Sequence, residues 1–263
     1  MKRNRNIGAI LLIAAGLLLM AAALYELIPA LLAYKRADDT YEALREAYVT
    51  GQPGTSSDDP AEEGEELPAW YEALQVDFET LKEANPDVTG WIYFDNIEQI
   101  NYPTLYSGDD ETYLHTDLYG NASKSGCIFM EGNNVPDFND CHTILYGHNM
   151  KNGSMFASLH NFEDQQVFEE NPYFYIYTED KTYVYEIFAA YKYNAIHLIY
   201  NFDLTNPEIF QNYLDQIFEI RDMSANIRQD VTVNADNRIV TLSTCVSGEK
   251  NMRYLVQGVL LNE

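Results

Sequence analysis

An uninterrupted apolar segment near the N-terminus constrains this chain more than any other feature of its sequence. Residues 7–25 read IGAILLIAAGLLLMAAALY, which is 19 residues without a charged side chain. A helix of that length can span the hydrocarbon core of a bilayer. Because Lys2, Arg3 and Arg5 precede it, the positive-inside rule places the N-terminus in the cytoplasm. We predict a cytoplasmic tip and a single-pass signal anchor over residues 1–34, touching membrane lipid through residues 7–25, with the rest of the chain extracellular.

A cleaved signal peptide is the alternative interpretation of this segment. Lys35 and Arg36 on its far side weaken the charge asymmetry, and the alanines at 21–23 are small residues of the kind found near cleavage sites. The apolar core of a signal peptide is normally shorter than this segment. Its length therefore favours the uncleaved anchor.

The part of the chain after the apolar segment has the composition of a spacer. A short helix is compatible with residues 37–50, where apolar side chains recur at helical spacing. Residues 51–68, GQPGTSSDDPAEEGEELP, are rich in Gly, Pro, Ser and acidic residues and have almost nothing to bury. We predict an acidic flexible stalk over residues 35–66 and a folded domain over residues 67–263.

The charge of the chain excludes one class of partner. Its 16 basic and 41 acidic side chains give a net charge of −25. A surface this acidic repels phosphates, so we predict no nucleic acid partner. The acidity either serves solubility alone or keeps an exported protein from adhering to an anionic cell wall.

Strand patterns dominate the predicted domain. The 21 tyrosines favour a β-rich core. Alternating or β-rich segments predict strands at 91–94, 100–105, 174–178, 182–193, 231–233, 238–245 and 254–261. Apolar residues at helical spacing predict helices at 69–84, 154–162 and 206–220. Together these elements predict a mostly antiparallel β-barrel that carries a few helices.

The three cysteines, Cys127, Cys141 and Cys245, cannot form a complete disulfide framework because their number is odd. Cys127 and Cys141 either pair or are buried free thiols. Cys245 is the remaining thiol, and it ends the apolar segment TLSTC just before a Ser-Gly turn. A cysteine on a strand is most commonly a small buried apolar residue. Position alone therefore does not identify a nucleophile.

A histidine and an arginine complete a possible mechanism. His148 follows a glycine at the end of a strand-like segment, and Arg253 lies eight residues after Cys245. A thiol needs a cationic neighbour to ionise at neutral pH, and an imidazole can protonate a leaving amine. A guanidinium can neutralise a tetrahedral oxyanion. The spacing of the five histidines and of the acids matches no metal site, so we predict no metal and no cofactor.

The motifs that carry these residues resemble the signature of the sortase family. TLSTC is followed by Arg253, and LYGHNM lies about a hundred residues upstream. The segment TGWIYFDNIEQINYPTLYSGDDETYL is similar to the family's first strands, and GCIFMEGNN is similar to the strand before the family's catalytic histidine. The predicted helices at 69–84 and 206–220 resemble class B rather than class A. The resemblance covers roughly residues 70–262 and implies a closed eight-stranded β-barrel with an N-terminal helix and a helix between late strands.

The resemblance also implies an activity. Cys245 is then the nucleophile, His148 the general acid/base and Arg253 the oxyanion stabiliser of a cysteine transpeptidase. Such an enzyme cleaves a C-terminal sorting motif of exported proteins through a thioacyl intermediate. It joins them to an amine of a peptidoglycan precursor or to a pilin lysine, without a cofactor. A surface cysteine hydrolase and a binding module with an inactive site are the rival functions.

The resemblance assigns further residues to substrate binding. Ser243 and Thr244, next to the thiol, are expected to line the groove, and Asn101 and Leu105 match positions that contact the sorting peptide. The sequence departs from the family pattern in a slightly short Cys–Arg spacing. It also has Val246 after the thiol, where class B relatives often have an acid, and we expect Glu249 to substitute or the acid to be unnecessary.

Overall fold

A computed structural model describes residues 3–50, 74–97, 99–196 and 198–262. The chain divides into two units, Met1–Thr40 and Tyr41–Glu263. The first unit contains most of helix α1 (Arg3–Tyr48), whose apolar window has a mean hydropathy of 2.4 and is not buried by protein. Helix α1 is therefore long and apolar enough to cross a membrane, as the sequence predicts.

The second unit is built mainly of strands. They are β1 (Val49–Thr50), β2 (Gln75–Val76), β3 (Val88–Tyr93), β4 (Asn101–Leu105), β5 (Ile128–Met130), β6 (His142–Tyr146), β7 (Tyr173–Tyr177), β8 (Thr182–Asn194), β9 (Asn226–Ile227), β10 (Ile239–Val246) and β11 (Glu249–Leu260). The helices after α1 are α2 (Phe78–Ala84), α3 (Thr112–His115), α4 (Gln165–Glu170), α5 (Leu198–Asn201) and α6 (Pro207–Phe218), with a 3₁₀ helix at Ala157–Glu163.

Eight strands close into a barrel. Their order is β11-β10-β6-β5-β4-β3-β7-β8, and a long antiparallel pairing of β8 with β11 closes the circle. Strand β9 adds to β8 outside this circle, and β1 pairs with β2 in a separate ribbon. The pairs β4–β5 and β6–β10 are parallel, while the other pairs are antiparallel. The predicted closed eight-stranded barrel is confirmed.

Helix α6 covers one side of the barrel, in agreement with the predicted helix between late strands. Asn206 caps it by accepting hydrogen bonds from the backbone N–H groups of Glu208 and Ile209, and Pro207 takes the first helical position, where no N–H is needed. Its buried face, which includes Tyr213 and Leu214, packs against apolar residues of β6, β8, β10 and β11.

A buried polar network connects this helix to the barrel. The Oγ1 atom of Thr241 on β10 lies 2.7 Å from His142 Nε2 on β6 and accepts a 2.7 Å hydrogen bond from Gln257 Nε2 on β11. The same Gln257 nitrogen donates to the hydroxyl of Tyr213 on α6, at 2.8 Å. Burial lowers the pKa of His142 to about 3, so its imidazole is neutral. The network joins three strands whose ends carry Cys245, His148 and Arg253.

The helix predicted at 69–84 is shorter than expected. Residues 69–73 lie outside the described residues, and β2 precedes the helix, which begins only at Phe78. Asp77 sets this start, because its carboxylate accepts hydrogen bonds from the N–H and the hydroxyl of Thr80 at 3.0 and 2.8 Å. Leu74 is buried beside the strand rather than on the helix.

The segment predicted as a stalk is ordered where the structure describes it. Residues 35–48 continue α1, and β1 follows. Tyr41 and Leu44 are 5% and 1% exposed, and the Tyr41 hydroxyl donates a 2.6 Å hydrogen bond to the Gly126 carbonyl. The folded domain therefore begins at residue 41 instead of 67, because two large side chains on one face of α1 are buried there. Residues 51–66 lie outside the described residues.

Two smaller predictions also differ from the structure. Residues 231–233 do not form a strand, because Val231 and Val233 pack against the α6 cluster from a loop, and the short strand in this region is β9. The helix predicted at 154–162 is the 3₁₀ helix Ala157–Glu163.

The buried position of Tyr41 and Leu44 predicts that truncation at residue 66 weakens the domain. A variant lacking residues 1–66 should melt roughly 6–24 °C below one lacking residues 1–36, because burying each of these side chains is worth about 1.5–3 kcal/mol and a domain of this size melts about 2–4 °C lower per kcal/mol. Thermal unfolding followed by circular dichroism measures the difference. Tyr41→Phe in the longer variant isolates the hydrogen bond and should cost about 1 kcal/mol. Equal melting temperatures for the two truncations would show that α1 contributes nothing to the domain.

Candidate active site

The register of three neighbouring strands brings the predicted catalytic residues together. In the antiparallel pair of β10 and β11, Cys245 lies directly opposite Arg253. In the parallel pair of β6 and β10, Ser243 lies opposite Tyr146. Continuing that register by two residues brings His148 beside Cys245 on its other side. The nucleophile candidate therefore lies between the histidine and the arginine.

These residues open into one cavity of about 310 Å³. Side chains on a strand alternate between the two faces of a sheet, so Tyr146 and His148, Ser243 and Cys245 share one face. The lining residues are Asp110, Leu114, Phe129, Ile144, Tyr146, Gly147, His148, Tyr193, Asn194, Ala195, Ile196, Leu198, Ser243, Thr244, Cys245, Arg253 and Leu255. Most of them are apolar or aromatic, so an extended peptide of moderate polarity suits the cavity.

Cys245 combines a rigid backbone with an accessible thiol. Residues 239–244 of its strand are buried, whereas Cys245 itself is exposed. A register shift between Cys245 and Val246 interrupts the ladder with β11 immediately after the thiol. Such irregularities re-aim a side chain at the end of a strand. Cys245 is therefore accessible at a position that the core of the barrel fixes.

His148 is oriented by the backbone around it. Its Nε2 donates a 2.9 Å hydrogen bond to the Leu114 carbonyl, which leaves Nδ1 as the nitrogen that can exchange a proton with a substrate. The preceding Gly147 must lack a side chain, because a Cβ there would lie 2.5 Å from Ile128 Cδ1 and 2.7 Å from Phe156 Cδ2. Close packing below the glycine thus holds the histidine at the edge of the cavity.

Arg253 is half-buried and is held by carbonyl groups. Its Nη1 donates to the carbonyls of Met252 at 3.1 Å and Lys250 at 3.4 Å. Among the described residues no carboxylate lies within ion-pair distance of its guanidinium. No described acid therefore neutralises the positive charge beside Cys245, and that charge can act on an anion that forms there.

The predicted substrate contacts divide into two groups. Ser243 and Thr244 line the cavity, and the Thr244 hydroxyl donates a 2.8 Å hydrogen bond to the Gly147 carbonyl. Asn101 and Leu105 do not line it. Leu105 is fully buried in the barrel, and Asn101 accepts a 2.6 Å hydrogen bond from the indole of Trp91. The structure thus gives these two residues of β4 packing contacts away from the cavity.

The acid expected near the thiol is engaged elsewhere. Glu249 lies opposite Val246 at the start of β11 and forms an ion pair with Lys192 at 3.3 Å. Both partners are substantially exposed, so the pair contributes little to stability. The expectation that Glu249 substitutes for an acid beside Cys245 finds no contact to support it.

Two residues near the thiol were missed in the sequence. The Cys245 carbonyl accepts hydrogen bonds from Asn149 Nδ2 at 2.8 Å and from His160 Nε2 at 3.0 Å. Asn149 follows His148 in LYGHNM, so the sequence does place an amide donor next to the predicted catalytic histidine. His160 is 85 residues from Cys245, so no local pattern indicates the contact.

The other two cysteines are structural. All three cysteines are free, so the possible pairing of Cys127 with Cys141 does not occur. The Cys127 thiol donates to the Thr116 carbonyl, and burial raises its pKa to about 12. The Cys141 thiol donates to the Leu204 carbonyl, and its pKa is also raised, chiefly by burial. Neither thiol ionises readily at neutral pH.

Comparison with known proteins identifies the family of this barrel. The model of the sortase domain matches residues 96–261, which is more than half of the chain. The chain belongs to the sortase family. Sortase B of Listeria monocytogenes is 33% identical to it over 186 residues, covering 70% of this chain and 73% of the relative. Sortase B of Staphylococcus aureus is 26% identical over 174 residues, covering 66% and 69%.

Solved structures agree with this assignment. The crystal structure of sortase B from B. anthracis superposes with a TM-score of 0.70 at 28% identity, covering 89% of this chain and all of the other. These relatives place the chain in class B, and they support a sortase transpeptidase. Within the described residues no group of three His, Cys, Asp or Glu side chains is arranged to hold a metal.

The contrast between the three thiols predicts selective alkylation. Iodoacetamide applied to the native protein should modify Cys245 and spare Cys127 and Cys141, because only Cys245 is exposed and the pKa of each of the other two thiols is raised. Peptide mass spectrometry locates the adduct. The double variant Cys127→Ala/Cys141→Ala should keep peptide turnover within a few-fold. A loss of activity as complete as in Cys245→Ala would instead give one of these thiols a catalytic role.

Proposed function

We propose that this class B sortase cleaves a C-terminal sorting motif of exported proteins with Cys245 as its nucleophile, and joins the released acyl group to an amine. The observation that carries the proposal is that Cys245 lies opposite Arg253 on β11 and shares one cavity with Arg253 and with His148, which follows the end of β6. A nucleophile, a proton carrier and a fixed positive charge are what amide transfer requires.

In the first half-reaction the Cys245 thiolate attacks the carbonyl carbon of the scissile peptide bond. A carbon–sulfur bond forms, and the carbonyl oxygen becomes an oxyanion. When the tetrahedral intermediate collapses, the carbon–nitrogen bond breaks and the leaving amine takes a proton from His148. The hydrogen bond from Nε2 to Leu114 keeps the ring oriented, so Nδ1 is the proton donor.

In the second half-reaction an amine attacks the thioacyl carbon. Neutral His148 removes a proton from the incoming nitrogen, the carbon–sulfur bond breaks, and Cys245 leaves as the thiolate. The products are an amide and the enzyme in its starting protonation state. We propose that the amine belongs to a peptidoglycan precursor or to a pilin lysine. No cofactor takes part in either step.

Arg253 stabilises the oxyanion in both steps. Its charge is not neutralised by an acid among the described residues, and the two carbonyls that accept from Nη1 hold the guanidinium beside the thiol. A charge fixed in advance stabilises the transition state without rearrangement during the reaction. Ser243 and Thr244 line the groove for the substrate backbone.

We also propose that residues 1–34 anchor the enzyme in the cell membrane, with the catalytic domain outside the cell. Helix α1 exposes apolar side chains such as Leu12, Leu18 and Leu19, which are 71–76% exposed. Such a surface is unfavourable in water and favourable in lipid. Basic residues precede it, which favours a cytoplasmic N-terminus.

Substitution of the three catalytic residues tests the mechanism. Cys245→Ala should abolish cleavage and ligation, since no thioacyl intermediate can form, and His148→Ala should be nearly as severe. Arg253→Lys should lose about 100- to 1000-fold in kcat, because lysine keeps the charge and loses the planar fork. A peptide-library cleavage assay with and without added amines measures both activities.

Arg221→Lys is the matched control for the arginine. This exposed guanidinium also donates from Nη1 to two carbonyls, at the end of α6 and away from the cavity, and its replacement should leave turnover unchanged. Turnover retained by Cys245→Ala would rule out the proposed nucleophile. Product that stays hydrolysed at every amine concentration would make the enzyme a hydrolase rather than a transpeptidase.

Protease treatment of intact protoplasts tests the topology. An external protease should release a fragment that begins within residues 51–68, since this segment has few side chains to bury. N-terminal sequencing identifies the first residue of the released fragment and the first residue of the mature full-length protein. A domain protected from protease, or a mature protein that begins after residue 20, would contradict the anchor.

A further inference from the structure

The main-chain carbonyl of Cys245 is held by two side chains. Asn149 Nδ2 donates to it at 2.8 Å and His160 Nε2 lies 3.0 Å from it. We propose that Asn149 and His160 are positioning residues, which fix the backbone of Cys245 and thereby the direction of its thiol. This inference rests on the proposed role of Cys245 as nucleophile.

The side chain of Asn149 replaces a backbone hydrogen bond of the β6–β10 ladder. The last ladder bond near the site runs from the Gly147 N–H to the Ser243 carbonyl, at 3.2 Å. In a parallel pair the next bond would run from the N–H of residue 149 to the carbonyl of residue 245. The chain instead turns after His148, and Asn149 pairs with Met155. The side-chain amide of Asn149 then supplies the donor that the Cys245 carbonyl needs.

His160 approaches the same carbonyl from the 3₁₀ helix. Its Nδ1 lies 2.8 Å from Glu163 Oε1, and its ring stacks on Tyr254 with 4.8 Å between the ring centroids. Because the Cys245 carbonyl can only accept a hydrogen bond, Nε2 is the donor in that contact. The nitrogens of Asn149 and His160 are 3.1 Å apart because both converge on one oxygen. The stacked ring and the carboxylate fix the direction of the donor.

The two hydrogen bonds act where the strand is least supported. The register shift between Cys245 and Val246 ends the regular pairing with β11 at the nucleophile. An unbraced carbonyl at this point would let the Cys245 backbone rotate and turn the thiol away from a bound peptide. Displacements of about 1 Å at a reacting atom can cost a hundredfold in rate. Because Asn149 adjoins His148, the same contact also holds the proton carrier and the nucleophile together.

Neither Asn149 nor His160 lines the cavity. Their effect on catalysis must therefore pass through the Cys245 backbone, and substrate binding should not depend on them. A positioning role and a substrate-binding role consequently predict different kinetics: the first lowers kcat, and the second raises KM.

Three substitutions test the inference in the full-length enzyme. His160→Phe keeps the ring on Tyr254 and loses both N–H groups, and His160→Gln keeps one amide donor. Asn149→Asp preserves shape and replaces the donor by an acceptor. Asn161→Ala changes an exposed residue of the same 3₁₀ helix and is the control. Each variant is assayed for kcat and KM of peptide cleavage, and for the rate at which iodoacetamide alkylates Cys245 without substrate.

We expect His160→Phe and Asn149→Asp each to lower kcat roughly tenfold with KM unchanged, because each variant loses one oriented hydrogen bond to the Cys245 carbonyl. The alkylation rate should fall with kcat, and His160→Gln should recover most of both. Asn161→Ala should match the wild type. Melting temperatures identify any variant that fails to fold. If one does, the kcat and alkylation rate of His160→Gln compared with those of His160→Phe decide the question.

Unchanged kcat and alkylation in both His160→Phe and Asn149→Asp would overturn the inference, as would a raised KM with kcat unchanged. Failure of the proposed function has a different signature. In that case the wild type itself cleaves no peptide, whereas its Cys245 is still alkylated. The alkylation rates of the variants then still decide whether Asn149 and His160 position the thiol.

Discussion

Strand β10 is hydrogen-bonded on both sides, parallel to β6 and antiparallel to β11, and the active site depends on that double pairing. Arg253 lies on β11 opposite Cys245, and His148 follows two residues after the end of β6. A slip of one residue in either register would turn the thiol to the opposite face of the sheet from its partner. The register of the paired strands in the core of the barrel therefore determines which residues meet at the site.

The buried polar network supplies a reason for that register. Thr241, His142 and Gln257 lie on the three strands of the site and bond to one another, and Gln257 also bonds to Tyr213 of α6. A slipped register would leave these groups buried without partners, at about 1–3 kcal/mol for each. Apolar pairs tolerate such shifts more readily, since dispersion has no direction. The polar groups thus specify one alignment among several that bury a similar apolar area.

The sequence predicted the parts of the molecule that depend on local pattern or on family motifs. Alternating segments indicated most strands of the barrel. Pro207 at a helix start, followed by apolar residues at helical spacing, indicated α6. Motifs identified Cys245, His148 and Arg253 as residues that share one site. The sequence did not predict features that depend on contacts between residues far apart in the chain. Tyr41 and Leu44 looked like part of a spacer because the residues that bury them lie elsewhere in the chain. His160 carried no signal, since its contact with the Cys245 carbonyl spans 85 residues. Asn101 and Leu105 of β4 were assigned by resemblance, and they do not line the cavity that contains Cys245.

The placement of the cysteines has a consequence for oxidation. Cys141 precedes β6 and Cys245 is near the end of the parallel strand β10, so roughly 20 Å of strand separates the two thiols. Cys127 is buried and bonded to a carbonyl. An oxidant that converts Cys245 to a sulfenic acid or a mixed disulfide therefore finds no second thiol to resolve it. The oxidised enzyme cannot close an internal disulfide, and its recovery requires a reductant from outside the protein.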